Sequence, residues 1–267
     1  MKTDLRNLTL DEMKAWVLSK DQPKFRGEQL FEWVSKGTRD FREMRNLPES
    51  FRNVLMDTSS LDSLTLLRSQ QSKMDGTQKF LFAVEGGDAV ETVFMRYRYG
   101  NSLCISSQAG CRMGCAFCAS GMKGLSRNLT AGELFSQVID AEKETGMTVS
   151  HIVLMGTGEP FDNYEEVSKF LRIIRDPAGR GMSSRNITVS TCGLIPCIQR
   201  FSEDFPEVNL AISLHAPNQE IRSRIMPVSK KYSFGKLLGA CRRYTEATHR
   251  RVTFEYALIK DVNDRDR

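Results

Sequence analysis

The chain has 267 residues, 40% of them hydrophobic and 27% charged, with a formal net charge of +5. That is the make-up of a soluble globular protein, and the length allows one medium domain plus a small one. No apolar run is long enough to span a membrane. The opening residues MKTDLRNLTLDEMKAWVLSK are amphipathic and carry acids, unlike a secretory or transit peptide. Seven cysteines, an odd number, fit free thiols in a reducing cytoplasm rather than a disulfide framework. There is no internal repeat and no low-complexity segment.

Residues 1 to about 57 read as helical. In RGEQLFEWVSKG, Leu30, Phe31 and Val34 share one helical face, with Trp33 beside it. NLPESFRNVL predicts a second helix, with Pro48 in its first turn and Asn46 as its cap. From about 63 to 99 the pattern changes to alternation. LTLLRSQ, TQKFLFAVE and AVETVFMRYR predict a short β meander, and Gly86-Gly87-Asp88 a tight turn between the last two.

From about 102 onward strands alternate with helices. The strand candidates are LCISS, HIVLM, NITVS, VNLAIS and VTFEYALI. Between them lie the helix candidates TAGELFSQVIDAEKET, YEEVSKFLRIIRD, LIPCIQRFSED and FGKLLGACRRYTEA, the first opening with Thr130 and Glu133 in capping-box spacing. Such alternation implies parallel βαβ units, with active residues at the carboxyl ends of the strands. CRMGCAFC, MGTGEP, STCG and SLHAP each follow a strand candidate directly. The expected division is a helical domain over 1–60, a β linker over 61–100 and an α/β barrel domain from 101 to 267.

Cys111, Cys115 and Cys118 have the spacing C-x3-C-x2-C. They bring three thiolates to one loop and supply no fourth ligand. A structural zinc site wants four closed ligands, whereas a cubane iron–sulfur cluster held by three thiolates keeps one iron open for chemistry. Cys104 is the one candidate fourth zinc ligand, but it lies in a predicted strand while the others follow in a loop.

In MGTGEP the glycines let backbone come close to a ligand, and Glu159 is an acceptor for an ammonium group; the plain alternative is a Gly-rich turn. Ser190 ends the third strand candidate, and Ser213-Leu214-His215 end the fourth. Between Glu220 and Arg251 nine cations face only two acids, which suits either a phosphate backbone or a solvated helical face.

Taken in order, LCISSQAGCRMGCAFCASGMKGLSRNL, HIVLMGTGEPFDN, STCGLIP and LAISLHAPNQEIRSRIMP resemble the RlmN/Cfr family of radical S-adenosylmethionine (SAM) RNA methyltransferases. The resemblance covers nearly the whole chain, and AVETV with the helical N-terminal unit favours the RlmN branch. It implies a partial (β/α)6 barrel with five of six strands present. Cys111, Cys115 and Cys118 would hold a [4Fe–4S] cluster. Gly158, Glu159, Ser190, Ser213, Leu214 and His215 would contact SAM. Glu91, in VET, matches the family's proton acceptor, and Cys104 matches the cysteine that closes a disulfide late in the cycle.

The implied reaction is methylation of C2 of adenosine in 23S ribosomal RNA, with transfer RNA as a second substrate and a flavodoxin-type protein as electron donor. The chemistry explains the residue types. C2 of adenine is electron-poor, so the family first methylates an enzyme cysteine, turns that methyl group into a radical, and needs a base and a second thiol to release product. The alternatives are C8 methylation, another radical enzyme, and a non-catalytic zinc- or RNA-binding fragment.

The sequence departs from the family after the fifth strand candidate, ending at KDVNDRDR. The last barrel strand, the asparagine contact that follows it and the methyl-carrying cysteine have no matching residues. A truncated form is expected, with an open parallel-sheet edge and poor stability.

Overall fold

The computed structural model describes residues 2–62 and 64–264. They form two compact units, neither continuous in sequence.

The first unit comprises residues 1–103, 129–150 and 165–183. Its N-terminal part pairs β1 (Thr3–Asp4) with β2 (Ser59–Ser60) and packs α1 (Leu10–Leu18), α2 (Phe25–Ser35) and α3 (Glu49–Thr58). Leu30, Phe31 and Val34 are buried, as their helical spacing requires. The predicted cap of α3 is corrected. Pro48 itself is the N-cap, and the Asn46 side chain accepts instead from Trp33 Nε1 at 2.6 Å.

The meander is present as β3 (Thr65–Gln71), β4 (Gln78–Ala83) and β5 (Ala89–Tyr97), all antiparallel. Gly86 and Gly87 both take positive φ in the turn before β5, where a side chain would be strained. Alternation puts Val90, Thr92 and Phe94 on the buried face and leaves Glu91 on the exposed one. Thr92 Oγ1 donates to Gln137 of α4 (Ala131–Thr145) at 2.9 Å. The Thr130–Glu133 capping box opens α4 as its sequence predicts. α5 (Tyr164–Arg175) lies almost wholly in this unit, as does β6 (Gly100–Cys104) up to Leu103.

The second unit comprises residues 104–128, 151–164 and 184–267. Its framework is four consecutive parallel strands, β9 (His151–Leu154), β10 (Ile187–Thr191), β11 (Asn209–Ser213) and β12 (Thr253–Glu255). Ile152, Leu154, Ile187, Val189, Leu210 and Ile212 are buried, as expected where helices cover a parallel sheet. α6 (Ile195–Asp204) follows β10, while α7 (Gln219–Ile225) and α8 (Phe234–Thr248) follow β11. Tyr244 of α8 donates to the Val208 carbonyl at 3.0 Å, tying helix to sheet.

Two strands differ from expectation. LCISS is strand only to Cys104, although the Ile105 N–H still donates to Val153 at 3.0 Å. VTFEYALI is strand only over Thr253–Glu255, because side chains take the next backbone donors: Ala257 N–H goes to His215 Nδ1 and Ile259 N–H to Asn263 Oδ1. Among the described residues these strands form an open parallel sheet and no closed barrel, which is the partial-barrel architecture.

Candidate active site

The cysteine loop is held at its base by a two-strand ladder, β7 (Gln108–Gly110) against β8 (Leu125–Asn128). Cys111 N–H donates to the Gly124 carbonyl at 3.0 Å, closing the loop. Only glycine fits at 110, where φ is +80° and a Cβ would stand 2.1 Å from the Gly124 oxygen. Ala116 N–H donates to Ile225 of α7, fixing the middle of the loop.

The MGTGEP loop lies against residues 105–108. Thr157 N–H donates to Ser106 Oγ, and the Thr157 carbonyl accepts from Ser107 and Gln108. Gly158 has φ +108°, and a Cβ there would meet Gln108 Cβ at 2.6 Å. Gln108 bridges the loops, donating to Asp162 and accepting from the Glu159 N–H. Asp162 in turn takes a bidentate pair from Arg112, inside the cysteine run.

These loops and the strand ends border a single cleft. Cys111, Cys115 and Cys118 line it together with Gly158, Glu159, Ser190, Ser213 and His215. Eight of the expected site residues therefore share one cleft. Leu214 is not in its wall; its N–H and that of His215 both donate to the Glu255 carbonyl, a backbone role.

Glu159 is only 4% exposed and its oxygens are already engaged. One accepts from Phe161 N–H at 3.0 Å, the other from Cys192 N–H at 2.7 Å. Burial holds its carboxyl above the usual carboxylate range, and those donors offset only part of that rise. The carboxylate thus braces the β9 loop against the turn after β10. His215, at positive φ, accepts from Ala257 through Nδ1, so a neutral ring carries its proton on Nε2. Burial lowers its pKa and keeps it neutral, and Phe117 meets the ring edge-on at 4.8 Å.

The sequence reading missed Glu255. It closes β12 and lines the cleft, where one oxygen accepts from Ser190 Oγ at 3.1 Å and Ser213 Oγ at 2.9 Å. Its other oxygen is buried without a hydrogen-bond partner. The available signal was an acid inside the otherwise apolar run VTFEYALI, at the end of a parallel strand.

Arg222 was counted in the basic cluster, but it is fully buried and bridges the carbonyls of Cys192, Ser213 and Leu214. It holds two strand ends together and is not a phosphate contact. Arg224, Lys230, Lys231, Lys236, Arg242, Arg243 and Arg251 remain exposed.

Cys104 sits beside Met155, and burial with the Glu255 charge pushes its thiol up to about 11. Glu91 lies in the first unit, on β5, where it pairs with Lys79 at 2.8 Å.

Residues 105–267 match the family model of the radical SAM superfamily, and residues 3–61 match the ribosomal RNA large subunit methyltransferase N-terminal domain. The probable dual-specificity RNA methyltransferase RlmN of Clostridium novyi is 47% identical over 262 residues, which is 98% of this chain and 76% of that protein. The chain belongs to the RlmN family of radical SAM RNA methyltransferases. The RlmN of Alkaliphilus oremlandii, also named as a probable dual-specificity RNA methyltransferase, is 48% identical across the whole chain and 78% of its own length. A radical SAM methyltransferase crystal structure from Sphaerobacter thermophilus superposes with a TM-score of 0.93 at 44% identity, covering 99% of this chain and 79% of that one.

The donor set fits the cluster this family implies. Among the described residues, no three His, Cys, Asp or Glu side chains converge to hold one ion. A cubane asks for something different, since each thiolate binds a separate iron. Three thiols in one cleft, with no fourth protein ligand, suit that better than closed tetrahedral zinc.

Proposed function

We propose that this chain carries the radical and adenosine-recognising part of an RNA adenine-C2 methyltransferase, acting on large-subunit ribosomal RNA and on transfer RNA as a second substrate. The reading rests on one observation above the others: the three-cysteine loop, the glycine loop and the strand-end polar groups line a single cleft. When bound there, the [4Fe–4S] cluster and SAM supply a carbon-centred radical.

The residues divide the work. Cys111, Cys115 and Cys118 hold the cluster. The backbone of Gly156–Gly158 borders the methionine end of SAM, since two glycines leave that edge bare of side chains and Glu159 is spent on bracing. Ser190, Ser213 and Glu255 offer hydroxyls and a carboxylate to the ribose, a pairing suited to a diol. His215 presents a neutral ring to the same cleft.

Glu91 takes the ring proton from adenine once its pairing with Lys79 is released. Cys104 supplies the second thiol. It is neutral at pH 7, so it must lose its proton as it attacks. The reaction places the protein in the cytoplasm, beside a one-electron donor of the flavodoxin type. No described helix is long and apolar enough to cross a membrane.

The test is anaerobic. The protein is reconstituted with iron and sulfide, mixed with SAM, dithionite and unmodified ribosomal RNA, and the digested RNA is analysed by mass spectrometry. 5′-Deoxyadenosine is the expected product of the radical site, and any methylated base is expected to be 2-methyladenosine. 8-Methyladenosine, or no 5′-deoxyadenosine from a protein with a full cluster, overturns the reading.

A further inference from the structure

The first unit carries an exposed feature that the radical chemistry does not use. β5 outruns its neighbour: the last β4–β5 pair is Gln78 with Phe94, and the chain continues as Met95-Arg96-Tyr97-Arg98-Tyr99. The rings of Tyr97 and Tyr99 stack nearly parallel, 8° apart in plane and 5.1 Å between centroids. They are 48% and 66% exposed. Two half-exposed aromatics in mutual contact contribute little to a core, yet they present a flat π-surface to water.

The segments that end near them carry mostly positive charge. Over residues 65–82 and 93–101, Arg68, Lys73, Lys79, Arg96 and Arg98 stand against Asp75 alone. Asp75 is occupied within its own turn, accepting from the Thr77 N–H and hydroxyl. Lys79 is taken by Glu91. The other four cations are exposed. Arg96 lies against the β3–β4 turn at Gly76, where a Cβ would stand 1.9 Å from its guanidinium. Glycine at 76 therefore leaves room for the Arg96 guanidinium.

We propose that Tyr97 and Tyr99, flanked by Arg96 and Arg98, form a stacking platform for an unpaired base of the RNA substrate. An aromatic face accepts any base, and the arginines meet the adjoining phosphates. The proposal rests on the RNA methyltransferase reading and adds where and how RNA is held.

Binding of a fluorescein-labelled, adenosine-containing single-stranded RNA to the full chain, followed by anisotropy without SAM, tests it. Tyr97→Ala and Tyr99→Ala are each expected to weaken binding about tenfold. Tyr97→Phe and Tyr99→Phe should bind as the parent does, because the ring is kept. Arg98→Ala should flatten the salt dependence, lowering the slope of log K against log salt by about 0.7. A fully paired RNA of equal length should be insensitive to both alanine changes. Parent-like binding by both alanine variants overturns the platform and leaves the methyltransferase reading intact. Loss in the phenylalanine variants as well overturns stacking as the cause. No RNA binding by the parent chain overturns both readings.

Discussion

The Glu159 carboxylate accepts from the Cys192 backbone N–H at 2.7 Å, joining the loop after β9 to the turn after β10. Its other oxygen caps the next turn at Phe161. Glu159→Ala leaves two buried N–H groups unpaired, and a loss of about 3 kcal/mol is expected. Urea titration of the chain without cofactors measures it. Unchanged stability with only weaker SAM binding would return Glu159 to a direct cofactor role.

Gly158 makes a sharper prediction. Gly158→Ala combines positive φ with a 2.6 Å clash against Gln108, whose side chain links the two loops. The strain alone is of order 1–3 kcal/mol. The displaced Gln108 should also loosen β7, at the base of the cysteine loop. Reduced iron per chain after reconstitution, alongside a lower melting temperature, is the expected pair of results.

Most of the scaffold was legible, for physical reasons. Buried parallel strands leave continuous apolar runs such as HIVL and ITVS, and the Thr130–Glu133 box announces α4. The cysteine spacing and the glycine loop are local signals, and the structure brings both to one cleft. What stayed hidden depends on tertiary partners. Arg222 looks like its exposed neighbours until three carbonyls close on it. Glu159 reads as a ligand, and only the fold shows that its oxygens also accept from the Phe161 and Cys192 backbone N–H groups. α7 was missed because its seven residues are too short to display a face.

Glu255 should matter for cofactor affinity. Glu255→Gln keeps the shape but exchanges an anionic acceptor for an amide, and about tenfold weaker binding of SAM is expected from one lost charged hydrogen bond. Equilibrium dialysis reads this without turnover. Equal affinity in the variant would remove Glu255 from the ribose site.

The Cys104 thiol, raised to about 11 by burial, sets a pH dependence. The unfolded chain, with its thiol near 9.0, ionises first. Stability from neutral Cys104 is therefore full below about 9 and declines as pH rises towards about 11. Alkylation by iodoacetamide at this site should keep rising with pH through that same window. Cys104→Ala should flatten the stability curve there. A rate that levels off near pH 8.5, as for a free cysteine, would contradict the burial argument.

The central claim is that Cys111, Cys115 and Cys118 would hold a cluster beside the cleft they line, where it would bind SAM. Electron paramagnetic resonance of the reduced, reconstituted protein tests it most directly, alongside iron and sulfide analysis. The account predicts about four irons and four sulfides per chain, lost in a Cys111/Cys115/Cys118→Ala variant, and a spectrum that shifts when SAM is added. Stoichiometric zinc in place of iron, or a cluster whose spectrum ignores SAM, would contradict it.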